Sequence, residues 1–251
     1  MRGAKLGVVS KYIEDKVSSG EVLHFSLIDP DKVSSKDELL STCKELVNAG
    51  TDAFLVGGSL GVSESLVDEV VKTIKTLGLP VILFPGNVSG ISRYADAILF
   101  MMLMNSDDPY FLVGAQVIAA PIVAKYGLEA LPTAYIIVGY GGAAGYVGRA
   151  RPIPYDRPEI VAAYVLAAEM LGMKYTYLEA GSGAPEPIPP NVVRYVAKVR
   201  RKSITIVGGG IRTPEKAREI AQSGANIIVT GTIIEKDPKR AIEIIGAIKR
   251  R

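Results

Sequence analysis

Short apolar runs alternate with longer amphipathic stretches from one end of the chain to the other. The runs have the length of β-strands and are mostly continuous in hydrophobic residues, which is typical of parallel strands covered by helices. They lie at residues 22–28, 53–56, 81–84, 97–101, 133–138, 175–179, 204–207 and 227–230. Eight strands, each followed by a helical stretch in a chain of 251 residues, predict a single α/β domain with the (β/α)8 TIM-barrel fold over residues 1–251.

The ends of the helical stretches support this division of the chain. Ser35 and Glu38 have the spacing of a capping box, and Thr213 and Asp237 each precede a proline at the expected first helical position. Glycines follow five helical stretches, where a residue with positive φ is favoured: Gly50, Gly78, Gly127, Gly172 and Gly224. A doubly wound open sheet is the competing fold. Its first strand normally leads into a glycine-rich fingerprint, whereas this chain continues with Asp-Pro-Asp-Lys at 29–32.

Composition and charge exclude several classes of protein. With 48% hydrophobic and 22% charged residues, the chain can bury a large core and is not intrinsically disordered. Its 29 basic and 26 acidic residues give a net charge of +3, which is too balanced to indicate a nucleic-acid partner. The single cysteine, Cys43, cannot form an internal disulfide bond, and no apolar run approaches the roughly 18 residues of a membrane span. We therefore expect a cytoplasmic protein without a transmembrane segment.

The loops that follow the seventh and eighth strands are rich in glycine. Residues 208–210 are all glycine, and Gly231 precedes Thr232. Adjacent glycines let the backbone approach a ligand closely and point N–H groups at it, and the helix that Thr213-Pro214 opens favours an anion at its N-terminus. These two loops form the usual phosphate site of TIM barrels. The alternative is that the glycines only make tight turns.

Glu179 ends the sixth strand and is a candidate general base. Alternation along the strand places it on one face with Tyr175 and Tyr177, so a carboxylate and a phenol would meet at the rim of the barrel. A carboxylate can accept a proton from a hydroxyl nucleophile while the phenol positions it. From spacing alone, a structural carboxylate bonded to neighbouring backbone amides explains the residue equally well.

Asp29 and Ser59 follow the first and second strands and are candidate ligands of Mg²⁺. This cation prefers oxygen ligands and often takes only one or two of them from the protein. The alternative for Asp29 is an Asx turn that starts the first connection. The only histidine, His24, lies on the opposite strand face from Asp29, because five residues separate them, and is expected to be structural. Cys43 lies among leucines of a predicted helix and is expected to be a small buried hydrophobe.

Two segments exceed what a minimal barrel requires. Residues 139–154 form a long loop of glycine, small and aromatic residues, which indicates a mobile apolar cover over a site. Residues 110–126 are almost free of charge and could line an apolar channel or a subunit contact. We therefore expect a homo-oligomer that uses surface near residues 110–126.

The motifs at the strand ends occur together in one known family. The segments that match are residues 24–32, 56–59, 85–87, 134–138, 177–184, 208–211 and 230–232, in order over most of the chain. In this combination the chain resembles the geranylgeranylglyceryl phosphate synthase family, the archaeal-type prenyltransferases that make the first ether bond of archaeal membrane lipids. The resemblance implies a TIM barrel that transfers the prenyl group of geranylgeranyl diphosphate to the C3 hydroxyl of sn-glycerol 1-phosphate and releases diphosphate.

The resemblance also implies roles for individual positions. Glu179 and Tyr177 would be catalytic, and Asp29 and Ser59 would bind Mg²⁺. A lysine that some smaller relatives carry is replaced here by Leu27, so Mg²⁺ and Lys32 would meet the charge of the diphosphate. The prenyl diphosphate would lie across the barrel mouth, and its lipid product would need transient contact with a membrane. The glycerol 1-phosphate site would comprise Tyr177, Leu178, Glu179, Ala180, Gly181, Ser182, Gly183, Gly208, Gly209, Gly231 and Thr232.

Two alternative functions share some of these features. Another phosphosugar enzyme of this fold, an isomerase or a synthase of amino-acid biosynthesis, would use the same phosphate loops without a long apolar groove. A non-enzymatic barrel could bind a phosphorylated ligand or serve as an assembly scaffold.

Overall fold

Eight parallel strands close into a barrel in the computed structural model, which describes residues 7–58 and 62–249. Every strand pairs with the next along the chain, and the last strand pairs with the first. The predicted TIM barrel is confirmed and the doubly wound open sheet is excluded, because an open sheet would leave two edge strands. The strands are β1 Leu23–Ile28, β2 Ala53–Val56, β3 Val81–Leu83, β4 Ala97–Leu103, β5 Glu129–Ile137, β6 Tyr175–Glu179, β7 Ile204–Gly208 and β8 Ile227–Thr230.

Helices surround the barrel and connect successive strands. They are α1 Val8–Ser18, α2 Lys36–Ala49, α3 Glu64–Lys75, α4 Ala115–Tyr126, α5 Gly142–Val147, α6 Pro158–Met170, α7 Pro190–Val199, α8 Pro214–Gln222, α9 Thr232–Lys236 and α10 Pro238–Lys249. The predicted caps are present, since Ser35 Oγ accepts from the Glu38 N–H at 3.2 Å and Thr213 Oγ1 accepts from the Lys216 N–H at 3.3 Å. The five glycines predicted at helix ends all have positive φ, between 66° and 105°.

The fifth strand differs most from its prediction. β5 begins at Glu129 rather than at residue 133, and it runs through Pro132. Proline normally ends a strand because it has no N–H to donate. Here Pro132 pairs in register with Phe100, and its carbonyl still accepts from the Lys174 N–H at 3.2 Å, so the ladder continues past it.

Inward side chains fill the barrel, and outward side chains pack beneath the helices. Two outer clusters lie under α2, α3 and α4 and under α6, α7 and α8. This alternation places every second strand residue towards the barrel axis. The interior core includes Phe25, Leu55, Ile82, Leu99, Leu131, Tyr175, Ile206 and Val229.

The first helix closes the amino-terminal end of the barrel. Val9 and Ile13 of α1 belong to the interior core. Glu129, buried at the start of β5, accepts hydrogen bonds from the Val9 N–H at 2.8 Å and the Ser10 N–H at 2.9 Å. These bonds satisfy two donors in the first turn of α1, which have no partner within the helix. With this end covered, the carboxyl ends of the strands form the accessible face of the interior.

Candidate active site

A cavity of about 280 Å³ opens at the carboxyl ends of the strands. One half of its lining is polar and rich in glycine, and the other half is apolar, which suits an anionic group beside a hydrocarbon. The polar half follows β6, β7 and β8 and includes Glu179, Ser182, Gly183, Gly209, Gly210, Arg212, Gly231 and Thr232. The apolar half comes from β4, α4 and the segment between β3 and β4, and includes Phe84, Val88, Ile91, Ile98, Phe100, Ala115 and Ala119.

Glu179 lies at the end of β6 with only 6% of its surface exposed. Its Oε1 accepts a hydrogen bond from the Gly181 N–H at 2.6 Å, so the structural alternative of a carboxylate bonded to backbone is partly realised. Burial raises the pKa of Glu179 to about 7, although the Gly181 N–H and the phenols of Tyr135 and Tyr177 favour the charged form. A carboxylate with a pKa near neutrality can exchange a proton at working pH, as a general base must.

Tyr177 and two further aromatic residues pack together beside Glu179. The Tyr177 ring stacks on Phe84 with centroids 5.3 Å apart, and Tyr135 contacts the two rings edge-on at 5.2 and 5.7 Å. Burial raises the pKa of both phenols, so they stay protonated and can donate hydrogen bonds. Tyr135 was not among the predicted site residues. Only the register of the strands points to it, because Tyr135 pairs with Tyr177 across β5 and β6 and shares its inward direction.

The loops after β6 and β7 offer unpaired backbone N–H groups to the cavity. Gly181 and Gly183 have φ of +109° and +72°, and Gly209 and Gly210 have φ of +85° and +70°. Within residues 7–58 and 62–249, the N–H groups of Ser182, Gly183, Gly209 and Gly210 have no protein acceptor. Successive N–H groups on a curved backbone form a nest that binds an anion. The predicted phosphate site therefore has suitable donors.

Two glycines after β7 allow the loops to approach the carboxylate. A Cβ at Gly209 would lie 2.4 Å from Glu179 Oε1 and 2.7 Å from the Gly181 nitrogen. A Cβ at Gly208 would lie 2.4 Å from the Tyr177 hydroxyl. Any side chain at these positions would displace the groups that the sequence analysis assigned to catalysis.

The remaining residues predicted for the acceptor site lie in two different environments. Thr232 Oγ1 is 3.2 Å from Ser182 Oγ, which joins the loops after β6 and β8, and Gly231 lines the cavity beside them. Leu178 and Ala180 instead point outward into the core beneath the helices. These two residues can therefore reach a ligand only through their backbone.

Asp29 directly follows β1 and lies at the cavity wall. Its Oδ1 accepts from the Asp31 N–H at 3.1 Å, so the predicted Asx turn is present, and the same residue lines the cavity. A Cβ at Gly58 would lie 2.5 Å from Asp29 Oδ1, so this glycine leaves space beside the carboxylate. Glu235 of α9 also lines the cavity, and burial together with the charge of Asp29 raises its pKa. Ser59, the other predicted metal ligand, lies outside the described residues. No group of three or more His, Cys, Asp or Glu suited to a metal occurs in the described ranges.

Two cations that the sequence analysis did not consider line the cavity. Lys236 follows Glu235 at the end of α9, and Arg212 follows the glycines after β7. Lys32, which was expected to meet a diphosphate, lies exposed on the turn after β1. Both missed residues lie in loops or helix ends that converge only in the closed barrel.

The apolar half of the cavity continues into a groove between β4 and α4. Ile98 and Phe100 point outward from β4, and Ala115 and Ala119 of α4 lie along the same groove. The cavity lining includes five residues of the segment 110–126, in agreement with one of its two expected roles: Tyr110, Phe111, Ala115, Gln116 and Ala119. Although α4 is strongly apolar, none of the helices in the described ranges has both the length and the hydropathy that crossing a bilayer requires.

Comparison with known proteins identifies the family. Residues 14–249, which include every strand of the barrel, match a single family. The chain belongs to the PcrB family. The resemblance drawn from the strand-end motifs is confirmed, because the PcrB-family match is accompanied by close relatives that carry the synthase name.

Geranylgeranylglyceryl phosphate synthase from Staphylothermus marinus is 55% identical over 245 residues, covering 98% of this chain and 100% of that protein. The protein of the same name from Sulfolobus acidocaldarius is 50% identical over 243 residues, covering 97% of this chain and 95% of that protein. A crystal structure of (S)-3-O-geranylgeranylglyceryl phosphate synthase from Thermoplasma acidophilum, in complex with sn-glycerol-1-phosphate, is 40% identical with a TM-score of 0.90. That similarity covers 96% of this chain and 98% of the crystallised one.

The long loop after β5 is anchored in this PcrB-family barrel. Its central part forms α5, and Asn105, buried beyond the end of β4, donates to the carbonyls of Ile137 and Arg151 at 2.9 Å each. Val147 lines the cavity, so the expected apolar cover is present. The expected mobility of residues 139–154 stays a prediction, and the Asn105 amide connects Ile137 at the end of β5 with Arg151 of this segment.

His24 and Cys43 have structural surroundings. His24 is fully buried, with Nδ1 at 3.0 Å from Thr51 Oγ1 and Nε2 at 2.9 Å from Thr230 Oγ1. Burial, with a smaller effect of Lys249, lowers the pKa of His24 to about 3, so the ring is neutral. Burial also raises the pKa of Cys43 to about 12, so its thiol stays protonated.

Proposed function

We propose that this protein is a prenyltransferase that joins the C3 hydroxyl of sn-glycerol 1-phosphate to the prenyl group of geranylgeranyl diphosphate and releases diphosphate. The observation that carries the proposal is the position of Glu179 between the two halves of the cavity. On one side it touches Gly209 of the N–H-lined half, and on the other it neighbours Tyr177, which stacks on Phe84 of the apolar half. Relatives named geranylgeranylglyceryl phosphate synthase at 50–55% identity support the same conclusion.

The polar half of the cavity would bind the acceptor. Four N–H groups that have no acceptor among the described residues, those of Ser182, Gly183, Gly209 and Gly210, would hold the phosphate and so orient the glycerol. The C3 hydroxyl would then lie at the Glu179 carboxylate. With its pKa near 7, Glu179 is charged in a large fraction of molecules at neutral pH and can accept the hydroxyl proton as the new C–O bond forms.

Mg²⁺ is the cation that we infer for the diphosphate, and the described residues fit it. Asp29 offers a half-buried carboxylate with open space beside it at Gly58, and Glu235 lines the same cavity. Carboxylate oxygens are the ligands that Mg²⁺ prefers. Asp29 and Ser59 would hold the cation, which when bound would stabilise the charge that develops on the leaving diphosphate. Lys236 adds a positive charge to the same wall.

The apolar half would hold the prenyl chain of the donor. Buried Ile98 and Ala119 line the groove and present hydrocarbon to the prenyl chain, which limits the water that can lie beside it. Excluding water matters because the carbon that loses diphosphate becomes electron-poor and would otherwise be captured by a water molecule. A phosphosugar isomerase or synthase would have no use for such a groove.

The direct test of this function is product formation. The purified protein is incubated with sn-glycerol 1-phosphate, Mg²⁺ and prenyl diphosphates of several chain lengths, and the lipid extract is analysed by mass spectrometry. We expect a prenyl ether of glycerol phosphate and an equal amount of diphosphate, with geranylgeranyl diphosphate as the preferred donor. The enantiomer sn-glycerol 3-phosphate is the control, because its C3 position carries the phosphate instead of the free hydroxyl. An absence of ether product with every donor would favour another phosphosugar enzyme or a binding barrel.

The Asp29→Asn variant tests the metal site. Removing the charge should weaken Mg²⁺ binding, measured by calorimetry, by at least about tenfold, and raise the Mg²⁺ concentration needed for turnover to the same extent. Binding of glycerol 1-phosphate without a donor should be unchanged, because its phosphate is held by other loops. Asp31→Asn, an exposed change in the same turn, is the matched control. Equal losses of Mg²⁺ and glycerol 1-phosphate binding would contradict the assignment.

We also propose that the protein is a homo-oligomer that uses the outer surface near residues 110–126. The charged residue of this segment is Lys125, and a nearly uncharged surface can meet its own copy across a two-fold axis without placing like charges together. In sedimentation experiments at micromolar concentration we expect a dimer or larger species, and Ile118→Lys should shift it towards monomer. A wild-type monomer under these conditions would contradict this assembly. The exposed apolar side chains of this surface include Val113, Val117 and Ile118.

A cytoplasmic location with transient membrane contact completes the proposal. Cys43 is free and buried, which is compatible with a reducing compartment. The lipid product would leave through the apolar half of the cavity. Cell fractionation should find the protein away from the membrane pellet, and stable recovery with membranes would contradict a transient contact.

A further inference from the structure

Arg212 links two of the loops that surround the polar half of the cavity. It follows the three glycines after β7, and its side chain reaches across to the loop after β6. Its Nη1 donates to the Pro185 carbonyl at 2.8 Å, and its Nη2 donates to the Gly183 carbonyl at 3.0 Å. The same side chain lines the cavity. None of the roles assigned so far uses this residue.

The shape of the guanidinium suits this contact. Its two Nη atoms form a planar fork that donates hydrogen bonds in fixed directions, whereas a lysine ammonium is a point charge on a flexible stem. The two acceptor carbonyls belong to a loop that turns sharply, since Gly181 and Gly183 have φ of +109° and +72°. Bonds to Gly183 and Pro185 together therefore fix the curvature of this loop relative to the glycines after β7.

The Arg212 contact does not occupy the N–H groups that face the phosphate site. The Arg212 bonds engage carbonyl oxygens, so they hold the loop without occupying the N–H groups of Ser182 and Gly183 that remain unpaired in the described residues. On its inner side the loop is held by the Gly181 N–H, which binds Glu179 at 2.6 Å. Two anchors at opposite sides keep the intervening N–H groups aimed in one direction.

We propose that Arg212 is a positioning residue for the acceptor. It holds the loop after β6 against the loop after β7, so that the N–H groups of Ser182 and Gly183 converge with those of Gly209 and Gly210 on one phosphate. The inference rests on the proposed function, because it takes that phosphate to be the one on the glycerol acceptor. Arg212 is exposed, so solvent screens the attraction between its charge and the phosphate, and the geometry of the fork makes the main contribution.

The experiment compares Arg212→Gln, Arg212→Lys and the wild type. Binding of sn-glycerol 1-phosphate is measured by calorimetry without donor, and steady-state kinetics separate KM from kcat. We expect both variants to weaken acceptor binding and raise its KM by roughly tenfold, with kcat at saturating acceptor nearly unchanged. The KM for the prenyl diphosphate and the melting temperature should stay close to wild type. Arg218→Gln, an exposed change on α8, is the matched control.

Each other result counts against the proposal. Normal binding by Arg212→Lys but not by Arg212→Gln would show that charge alone matters and would overturn the positioning role. Unchanged binding by both variants would overturn it as well. Equal losses of donor and acceptor binding with a lowered melting temperature would show a general structural role instead. If the wild-type protein did not bind sn-glycerol 1-phosphate, the proposed function and this inference would both fail. In the other cases the wild type binds it, so only the role of Arg212 fails.

Rescue by an added cation gives a second measure that does not depend on the stability of the variant. Arg212→Ala leaves space for a free guanidinium ion at the two carbonyls. Millimolar guanidinium should restore part of the acceptor affinity, whereas ammonium at the same concentration should not, because it lacks the fork. Equal effects of the two ions would overturn the proposal.

Discussion

The two halves of the cavity are built in different ways. The polar half is made by backbone, from short glycine-containing segments at 181–183, 208–210 and 231–232 that each lie at or just beyond the end of a strand. The apolar half is made by side chains from β4, α4 and the segment between β3 and β4, spread over residues 84–119. An anion is bound by N–H groups whose direction the backbone sets, so few substitutions are allowed. A hydrocarbon is bound by a volume, which many combinations of apolar residues can provide.

The largest effect is expected where the two halves meet. Glu179→Gln keeps the shape of the side chain but removes the base, so kcat should fall by roughly 10²–10⁴-fold. Because the base must be unprotonated, wild-type kcat should rise with pH through about 7, the pKa of Glu179, and this rise should disappear in the variant. Single-turnover rates across pH measure both effects. Donor binding should survive, and Glu186→Gln, an exposed change in the next loop, serves as the control.

Stability distinguishes a catalytic Glu179 from a structural one. Its pKa is raised in the folded protein from 4.5 to about 7, so folding favours the protonated form. The wild type should therefore lose unfolding free energy as pH rises between these values, by up to about 3 kcal/mol, while Glu179→Gln should not. A variant that melts early at neutral pH yet reacts at nearly the wild-type rate would remove Glu179 from the mechanism.

A substitution in the backbone-built half should have the next largest effect. Gly209→Ala places a Cβ 2.4 Å from Glu179 Oε1 at a φ of +85°. The positive φ alone costs an L-residue about 1–2 kcal/mol and the overlap adds to it, so KM for glycerol 1-phosphate should rise roughly 10- to 100-fold. Gly172→Ala is the control, because its φ of +82° is similar and nothing lies within 4 Å. The control should lose only the stability that the positive φ accounts for, without any change in acceptor KM. Equal acceptor KM values in the two variants would contradict the claim that the backbone at Gly209 forms the acceptor site.

The side-chain-built half should respond least. Ala119→Leu narrows the groove, so KM for geranylgeranyl diphosphate should rise roughly three- to tenfold, and a shorter donor should be affected less. Acceptor binding should not change. Ala120→Leu, an exposed change at the next position of α4, is the control. If Ala119→Leu lowered acceptor affinity together with donor affinity, the two halves of the cavity would not bind their ligands independently.

The same contrast explains what could be predicted from the sequence. Strands and phosphate loops were found because apolar runs and glycines lie next to one another in the chain, and β2, β6 and β8 have the predicted bounds. The start of β5 was placed four residues too late. Whether a strand can continue through Pro132 depends on its neighbours, and here Phe100 pairs with it and Lys174 still donates to its carbonyl.

Residues that act through tertiary proximity gave no local signal. Tyr135 is one of several apolar positions in its run, and only the register of β5 against β6 places it beside Tyr177. In the sequence Arg212 looks like a surface residue at the start of a helix. Only the folded structure shows its Nη2 donating to the Gly183 carbonyl of the loop after β6 at 3.0 Å. The groove between β4 and α4 likewise exists only once α4 has packed against the barrel.

The closure of the amino-terminal end of the barrel by α1 has a consequence for the order of folding. The Val9 and Ser10 N–H groups bind Glu129, which is 120 and 119 residues further along the chain. On the ribosome, α1 is therefore made long before its partner, and Val9 and Ile13 have no barrel interior to enter until most of the strands have been synthesised. We therefore expect α1 to dock only after most of the strands have formed. Contacts over such a distance in sequence slow folding, so the apolar side chains of α1 stay unprotected in the nascent chain until the barrel interior exists.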